Sequence, residues 1–117
     1  MEKMKLVVIV LNKTESLEEM LKEFAGRGLQ GATILNSHGM MQELGADSQV
    51  SFMLSLRHAL NPDRRENRTI FMAARESDVP VIEEVVNRVT GGLNKSDTGI
   101  LFTVPIDYLT GLEGTDS

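Results

Sequence analysis

Apolar and polar positions follow the same order twice along this chain, on either side of a long polar interruption. Residues 6–11 form a β-branched apolar run without alternation, which is typical of a strand buried on both faces. An apolar stripe at i, i+3, i+4 and i+7 then predicts an amphipathic helix; its members are Leu17, Met20, Leu21 and Phe24. Gly26 and Gly28 are predicted to end this helix, and residues 31–37 form a second predicted strand.

The second half of the chain repeats this order. Residues 69–74 are a predicted strand, and residues 100–104 are another, which Pro105 is expected to end. Between them lies a second helical stripe with the same spacing; its members are Ile82, Val85, Val86 and Val89. Gly91 and Gly92 are predicted to stop this helix.

Both helices have a predicted N-terminal cap. Ser16 and Glu19 have the spacing of a capping box, in which each side chain accepts a hydrogen bond from a backbone N–H group. Ser77 is the predicted cap of the second helix, with Asp78 near the positive end of the helix dipole and Pro80 in the first turn.

Two βαβ units with right-handed crossovers predict an α+β fold, a ferredoxin-like βαββαβ sandwich. Its four-stranded antiparallel sheet has both helices on one face. Because the first, third and fourth strands are apolar on both faces, the opposite face needs a cover, and we expect an oligomer. We assign residues 1–112 to one domain with a long insertion at 38–67, and residues 113–117 to a flexible tail.

The insertion contains a segment, residues 50–60, whose period fits two structures. Alternating apolar residues favour a strand; they are Val50, Phe52, Leu54 and Leu56. One helical face fits equally well, formed by Phe52, Met53, Leu56, Ala59 and Leu60. The segment either packs on its own subunit or is a mobile arm that presents Phe52 and Met53 to a partner.

Cationic residues are concentrated in the same insertion and directly after it. They are Arg57, His58, Arg64, Arg65 and Arg68. Clustered guanidinium groups suit the recognition of phosphate or carboxylate, although a solvated polar turn explains the cluster as well.

Composition excludes several classes of protein. The formal net charge of −5 disfavours a nucleic-acid partner, and the absence of cysteine excludes disulfides and thiolate chemistry. The first apolar run is too short for a signal sequence or a membrane span, so we expect a cytoplasmic protein without membrane insertion. The two histidines, His38 and His58, have no catalytic or metal-binding partner at short spacing, and we predict neither an enzyme nor a metal site.

Three segments together resemble a known family. They are a first strand at residues 5–11, a short second strand that leads to Gly39 and a long loop, and the segment TGGLNKSDTGILF at residues 90–102. In this order and spacing the chain resembles the PII nitrogen-regulatory signalling proteins, most closely their divergent PII-like branch.

The resemblance implies a homotrimer of ferredoxin-like subunits with effector sites, usually for adenine nucleotides, in clefts between neighbouring subunits. It implies a flexible T-loop, here residues 38–67, that contacts a target protein such as a transporter or a metabolic enzyme. The expected function is therefore regulation, in nitrogen metabolism, by a small-molecule effector. An adenine nucleotide is the expected effector, and no cofactor is obligatory.

The resemblance also places the candidate residues. Those for ligand binding are Thr33, Ser37, Gly39, Arg68, Thr90, Gly91, Gly92, Leu93, Asn94, Lys95, Asp97, Thr98 and Gly99. Glycines at the turn are expected to let backbone N–H groups approach an anion. Candidates for partner binding are Met40, Met41, Phe52, Met53, Arg57 and His58.

The chain departs from the family pattern at several positions. The loop base lacks the family's second glycine and arginine, Ile100 stands where the family has lysine, and residues 108–112 lack a basic pair. The loop has no tyrosine, which excludes uridylylation at the family's position. The alternative function is a ferredoxin-like metal-binding or structural trimer of the CutA type, without a nucleotide response.

Overall fold

The computed structural model describes residues 2–40 and 66–111, and six regular elements form the frame of this part of the chain. They are β1 (Met4–Leu11), α1 (Leu17–Gly26), β2 (Thr33–Ser37), β3 (Asn67–Arg75), α2 (Val79–Thr90) and β4 (Gly99–Ile106). A short 3-10 turn leads into each helix, at Thr14–Ser16 and at Glu76–Asp78.

The strands form one sheet in the order β2-β3-β1-β4, and each neighbouring pair is antiparallel. Each βαβ unit therefore leaves room between its two strands for one strand of the other unit. This is the ferredoxin-like arrangement, as the sequence predicts. The strand β1 pairs along its whole length with both β3 and β4.

The core lies between the helices and one face of the sheet. Every second residue of β1 and β3 points into it, because side chains alternate between the faces of a strand. The buried members are Val7, Ile9, Leu11, Ile70, Met72 and Ala74 from the strands, with Met20, Phe24, Ile82, Val85 and Val86 from the helices. The predicted helical stripes are confirmed, with Leu17, Leu21 and Val89 partly buried at their margins.

The opposite face of the sheet is apolar and largely uncovered. On β4, Ile100, Phe102 and Val104 are 58%, 46% and 43% exposed, and on β2 Leu35 is 51% exposed. In the register, Ile100 and Phe102 lie opposite Val10 and Val8 of β1, so they share the face that points away from the helices. The bare face that the sequence predicts is present. We call it the open face.

The starts of the helices differ from the prediction. Ser16 occupies the N-cap of α1 but makes no side-chain capping hydrogen bond, so the predicted capping box does not form. Asp78, not Ser77, occupies the N-cap of α2. The reason is the 3-10 turn before each helix, which already has helical geometry and leaves no extended residue to cap the end.

The N-terminus of the chain supports the second of these turns. The Glu2 carboxylate accepts a hydrogen bond from the Ser77 N–H at 3.1 Å. Hydrogen bonding to Ser77, through its side chain and through this N–H group, stabilises the charged carboxylate and lowers the pKa of Glu2 from its ordinary value. Nearby, the guanidinium of Arg75 forms two hydrogen bonds with Asp78, at 3.0 and 3.2 Å.

The strand β4 also extends further than predicted. It continues to Ile106 and includes Pro105, which lies opposite Lys5. Proline was expected to end the strand because it has no N–H to donate. An edge strand needs ladder hydrogen bonds on one side only, and β4 is at the edge of this sheet.

Gly99, the first residue of β4, provides a test of how closely β4 packs against β1. Gly99 has a φ of +151°, and a Cβ atom at this position would lie 2.5 Å from the Val10 carbonyl oxygen. Gly99→Ala should therefore lower the free energy of unfolding by about 1–3 kcal/mol, because the backbone of β1 would have to move. Urea unfolding measures the change.

The matched control is Gly26→Ala at the end of α1, where a new Cβ would meet nothing within 4 Å. It should leave stability unchanged or raise it slightly. Equal effects of the two substitutions would contradict the tight approach of β4 to β1 at Gly99.

Candidate functional site

The turn between α2 and β4 contains most of the predicted ligand-binding residues, and Thr90 begins it. The Thr90 side chain is 1% exposed. Its hydroxyl donates to the Val86 carbonyl at 2.7 Å and accepts from the Gly92 N–H at 3.3 Å. Gly91 follows in the left-handed conformation, with a φ of +90°, and ends the helix as predicted. We call residues 91–97 the glycine turn.

Four backbone N–H groups of the glycine turn are hydrogen-bonded, one within the turn and three to the last turn of α2. The Gly91 N–H donates to the Asn87 carbonyl at 3.0 Å, and the Leu93 N–H donates to Asn87 Oδ1 at 2.9 Å. The Lys95 N–H donates to the Gly92 carbonyl at 3.2 Å. The two glycine N–H groups that the sequence suggests as anion donors thus already have partners.

Both ends of the glycine turn are attached to the residues that follow β1. The Thr98 carbonyl accepts hydrogen bonds from the N–H groups of Asn12 and Lys13, at 2.9 and 3.1 Å. At the other end, Lys13 Nζ donates to the Thr90 carbonyl at 2.8 Å. The dipeptide formed by Asn12 and Lys13 therefore fixes where α2 ends and where β4 begins. Thr98 itself is 4% exposed, and Asp97 before it has a positive φ of 62°.

Lys13 is a residue that the sequence reasoning missed. It brings a second ammonium group to the glycine turn. A Cβ atom placed on Gly91 would lie 3.9 Å from Lys13 Nζ and 4.0 Å from Lys95 Nζ. The two nitrogen atoms are therefore at most about 8 Å apart, by the sum of these distances. The signal that could have found Lys13 is the antiparallel pairing of β1 with β4, which brings the end of β1 to the start of β4.

A second group of candidate residues lies where β2 ends and β3 begins. Ser37 Oγ and Thr69 Oγ1 are 2.7 Å apart and share a hydrogen bond across the two strands. Glu66 lies 3.5 Å from the Arg68 guanidinium and 3.9 Å from His38 Nε2. Gly39 is half-buried, whereas Met40 is 74% exposed.

These two groups do not meet within one subunit. Ser37 is on the edge strand β2 and Gly99 is on the opposite edge strand β4, which places them three strand spacings, roughly 14 Å, apart. Arg68 lies on β3, between these two edge strands, and pairs with Leu11 of β1. Thr33 lies at the other end of β2, opposite Phe71 and four residues away from Ser37. The two groups of candidate residues are therefore separate within this chain and do not line one pocket.

The remaining candidates lie outside the described residues. They are Met41, Phe52, Met53, Arg57 and His58. The question of helix or strand at residues 50–60 lies there too, as does the tail at 113–117. The domain bounds and the function of the insertion at 38–67 stay predictions.

An open groove of about 720 Å³ runs from the glycine turn along α2. It is lined by Glu83, Glu84, Asn87, Arg88, Gly91, Gly92, Leu93 and Asn94. Arg88 in this groove contacts Glu23 of α1 and pairs with Glu84 at 3.3 Å, which connects the two helices. Hydrogen bonding to Glu23 raises the pKa of Arg88. The charged side chains along this groove are thus mostly paired with one another.

Two further observations concern the described ranges alone. Within residues 2–40 and 66–111, no three His, Asp or Glu side chains are grouped so that they could hold a metal ion. In the same ranges, neither helix has the length and apolar character needed to cross a membrane.

The sequence matches no protein-family model and no curated protein. The fold, by contrast, is similar to solved structures over most of the chain. A functionally unknown protein from Pediococcus pentosaceus has a TM-score of 0.64 at 15% identity, covering 96% of this chain and 100% of that one.

Two of the similar structures are PII proteins. The GlnK–ATP complex of B. subtilis has a TM-score of 0.59 at 17% identity, with 89% of this chain and 82% of that chain covered. The citrate-bound PII protein of Arabidopsis thaliana has a TM-score of 0.62 at 11% identity, with 90% and 78% covered. The chain therefore has a divergent PII-like fold.

The buried hydroxyl of Thr90 is predicted to hold the glycine turn on the helix. Thr90→Val keeps the shape of the side chain but removes the partner of the Gly92 N–H. It should lower the free energy of unfolding by about 1 kcal/mol and speed hydrogen exchange at the Gly92 amide. Thr90→Ser retains the hydroxyl and is the control for the exchange rate. Equal Gly92 exchange rates in Thr90→Val and the unchanged protein would contradict this role.

Proposed function

We propose that this chain is a PII-like signal-transduction protein. It binds a small anionic effector, an adenine nucleotide, and regulates a target protein through the insertion at residues 38–67. The observation that carries the proposal is the PII-like fold, which extends over 89% of this chain in the comparison with the ATP complex of GlnK. The proposed protein is a regulator and not an enzyme, and it acts in the cytoplasm.

The open face supports an assembly of several subunits, which we propose to be a homotrimer. Exposed apolar patches of this kind usually mark interaction surfaces. The row formed by Ile100, Phe102 and Val104 is continuous with Val8 and Val10 of the neighbouring strand. A second copy of the chain is the simplest partner, because soluble oligomers are mostly built from identical subunits.

The separation of the two groups of candidate residues supports an effector site between subunits, and we treat each group as one half of that site. The glycine turn provides ammonium groups at one edge of the sheet, and the end of β2 provides hydroxyl groups at the other. In a closed assembly, opposite edges of neighbouring subunits can come together and complete a site that neither contains alone. Such a site would link effector binding to the insertion, because β2 and β3 directly flank it.

Regulation requires a target protein that contacts this chain. The family resemblance favours a transporter or a metabolic enzyme, with a role in nitrogen metabolism. The insertion is the candidate contact, since it carries several arginines and apolar residues within about thirty positions. Long insertions in compact domains usually have a function.

Effector binding is tested by thermal unfolding with ATP, ADP, AMP, cyclic dinucleotides, 2-oxoglutarate and divalent metal ions. A nucleotide that binds the folded protein should raise its melting temperature, and at a hundred times its Kd it stabilises by about 2.7 kcal/mol. Titration calorimetry then gives the stoichiometry. If no nucleotide raises the melting temperature while a divalent metal ion does, the proposal is replaced by the CutA-type alternative.

The assembly is tested by sedimentation. Three chains of 12.9 kDa should sediment as a species of about 39 kDa. Phe102→Glu places a charge in the centre of the open face and should dissociate this species into subunits. Ala25→Glu adds the same charge at an exposed position of α1 and should leave the assembly intact. A 12.9 kDa species for the unchanged protein at micromolar concentration would contradict the trimer.

A further inference from the structure

A histidine and a glutamate lie at the two ends of the insertion. His38 directly follows β2, and Glu66 directly precedes β3. We propose that these two residues form a proton-dependent ion pair, which we call the neck pair. It fastens the end of β2 to the start of β3 when the imidazole is charged and releases them when it is neutral. This inference goes beyond the proposed function, because it gives the insertion a second input, pH, that requires no effector.

The sheet aligns the two residues of the neck pair. The antiparallel register of β2 and β3 ends with Ser37 opposite Asn67. His38 and Glu66 are the next residues on the two chains, so the same register brings them to facing positions. His38 Nε2 lies 3.9 Å from Glu66 Oε1, which is close enough for an ion pair once the imidazole is protonated. Opposite charges at facing positions of antiparallel strands stabilise the pairing of those strands.

The Glu66 carboxylate offers one oxygen atom to each of two basic side chains. Oε1 faces the His38 imidazole, and Oε2 lies 3.5 Å from the Arg68 guanidinium. An arginine side chain remains protonated throughout the physiological range, so Arg68 holds the carboxylate whether or not His38 is charged. The imidazole is the partner whose charge changes between about pH 5 and pH 8. The neck pair therefore forms or breaks according to the charge of His38.

The neighbouring elements bring little other charge to this point. The strand β2, residues 33–37, has no titratable side chain. On β1, the residue opposite Arg68 is Leu11, and two positions later Lys13 directs its ammonium group to the Thr90 carbonyl. In the part of the chain that the structure describes, the charged groups that face His38 are therefore Glu66 and, behind it, Arg68.

A purely structural contact does not explain a histidine at this position. The hydroxyl groups of Ser37 and Thr69 already join β2 to β3, and their hydrogen bond does not depend on pH in this range. A lysine or an arginine at position 38 would pair with Glu66 at every physiological pH, whereas a histidine does so only when protonated. The His38 side chain is 51% exposed, so it exchanges protons with solvent, and the pair has the modest strength of surface ions.

The test is amide hydrogen exchange at residues 36–37 and 67–69, with the rates corrected for the intrinsic effect of pH. Because the neck pair requires a charged imidazole, the protection factors should be about two- to fourfold higher at about pH 5.5 than at about pH 8. This difference should disappear in His38→Gln, which keeps a polar side chain without the charge. It should disappear in Glu66→Gln as well, because the partner charge is then absent.

Three matched variants separate the neck pair from other sources of pH dependence. His38→Arg should keep the higher protection at both pH values, because a guanidinium group remains charged. His58→Gln removes the other imidazole of the chain, and Glu18→Gln removes an exposed carboxylate of α1 that pairs with Lys22. These last two substitutions should leave the pH dependence as it is in the unchanged protein.

Several results would overturn the neck pair. They are equal protection at the two pH values in the unchanged protein, a pH dependence that persists in His38→Gln, and one that His58→Gln abolishes. The melting temperature of His38→Gln at about pH 8 should equal that of the unchanged protein, because the imidazole is neutral there. Should this variant fail to fold, His38→Arg decides, since a normal pH dependence in it contradicts the pair. No effector is present in these measurements, so their outcome is independent of nucleotide binding.

Discussion

The strand β1 is the constraint on which the other parts of this structure depend. It is paired along its whole length on both sides, and Val7, Ile9 and Leu11 are fully buried against the helices. A strand in this position cannot move without breaking two ladders and the core. The residues that follow it are therefore held firmly, and Asn12 and Lys13 in turn hold both ends of the glycine turn.

The strand β4 connects the candidate site to the open face. Its first residues follow the glycine turn, and its outward side chains form the apolar row that we assign to subunit contact. A ligand at the turn and a neighbouring subunit on the open face would thus act on the same short strand. Such coupling needs no long pathway, because both contacts lie within about five residues of each other.

Local patterns predicted most of the fold and only part of the site. The stripe of α2 and the stop at Gly91 depend on residues close in sequence, and both appear where predicted. The approach of Lys13 to Thr90 depends on the pairing of β1 with β4, which joins residues 77 positions apart. Pro105 continues β4 because that strand is at an edge, a property of the whole sheet. Side-chain periodicity carries no information about such distant contacts.

Gly99 has a consequence for the register of the sheet. Any other residue at this point would bring a Cβ atom against the Val10 carbonyl, so the pairing of β4 with β1 is permitted in one alignment and opposed in the adjacent ones. A slip of one position would turn Ile100, Phe102 and Val104 toward the helices and place Leu101, Thr103 and Pro105 on the open face. This single missing side chain therefore favours the alignment in which Ile100, Phe102 and Val104 lie on the open face.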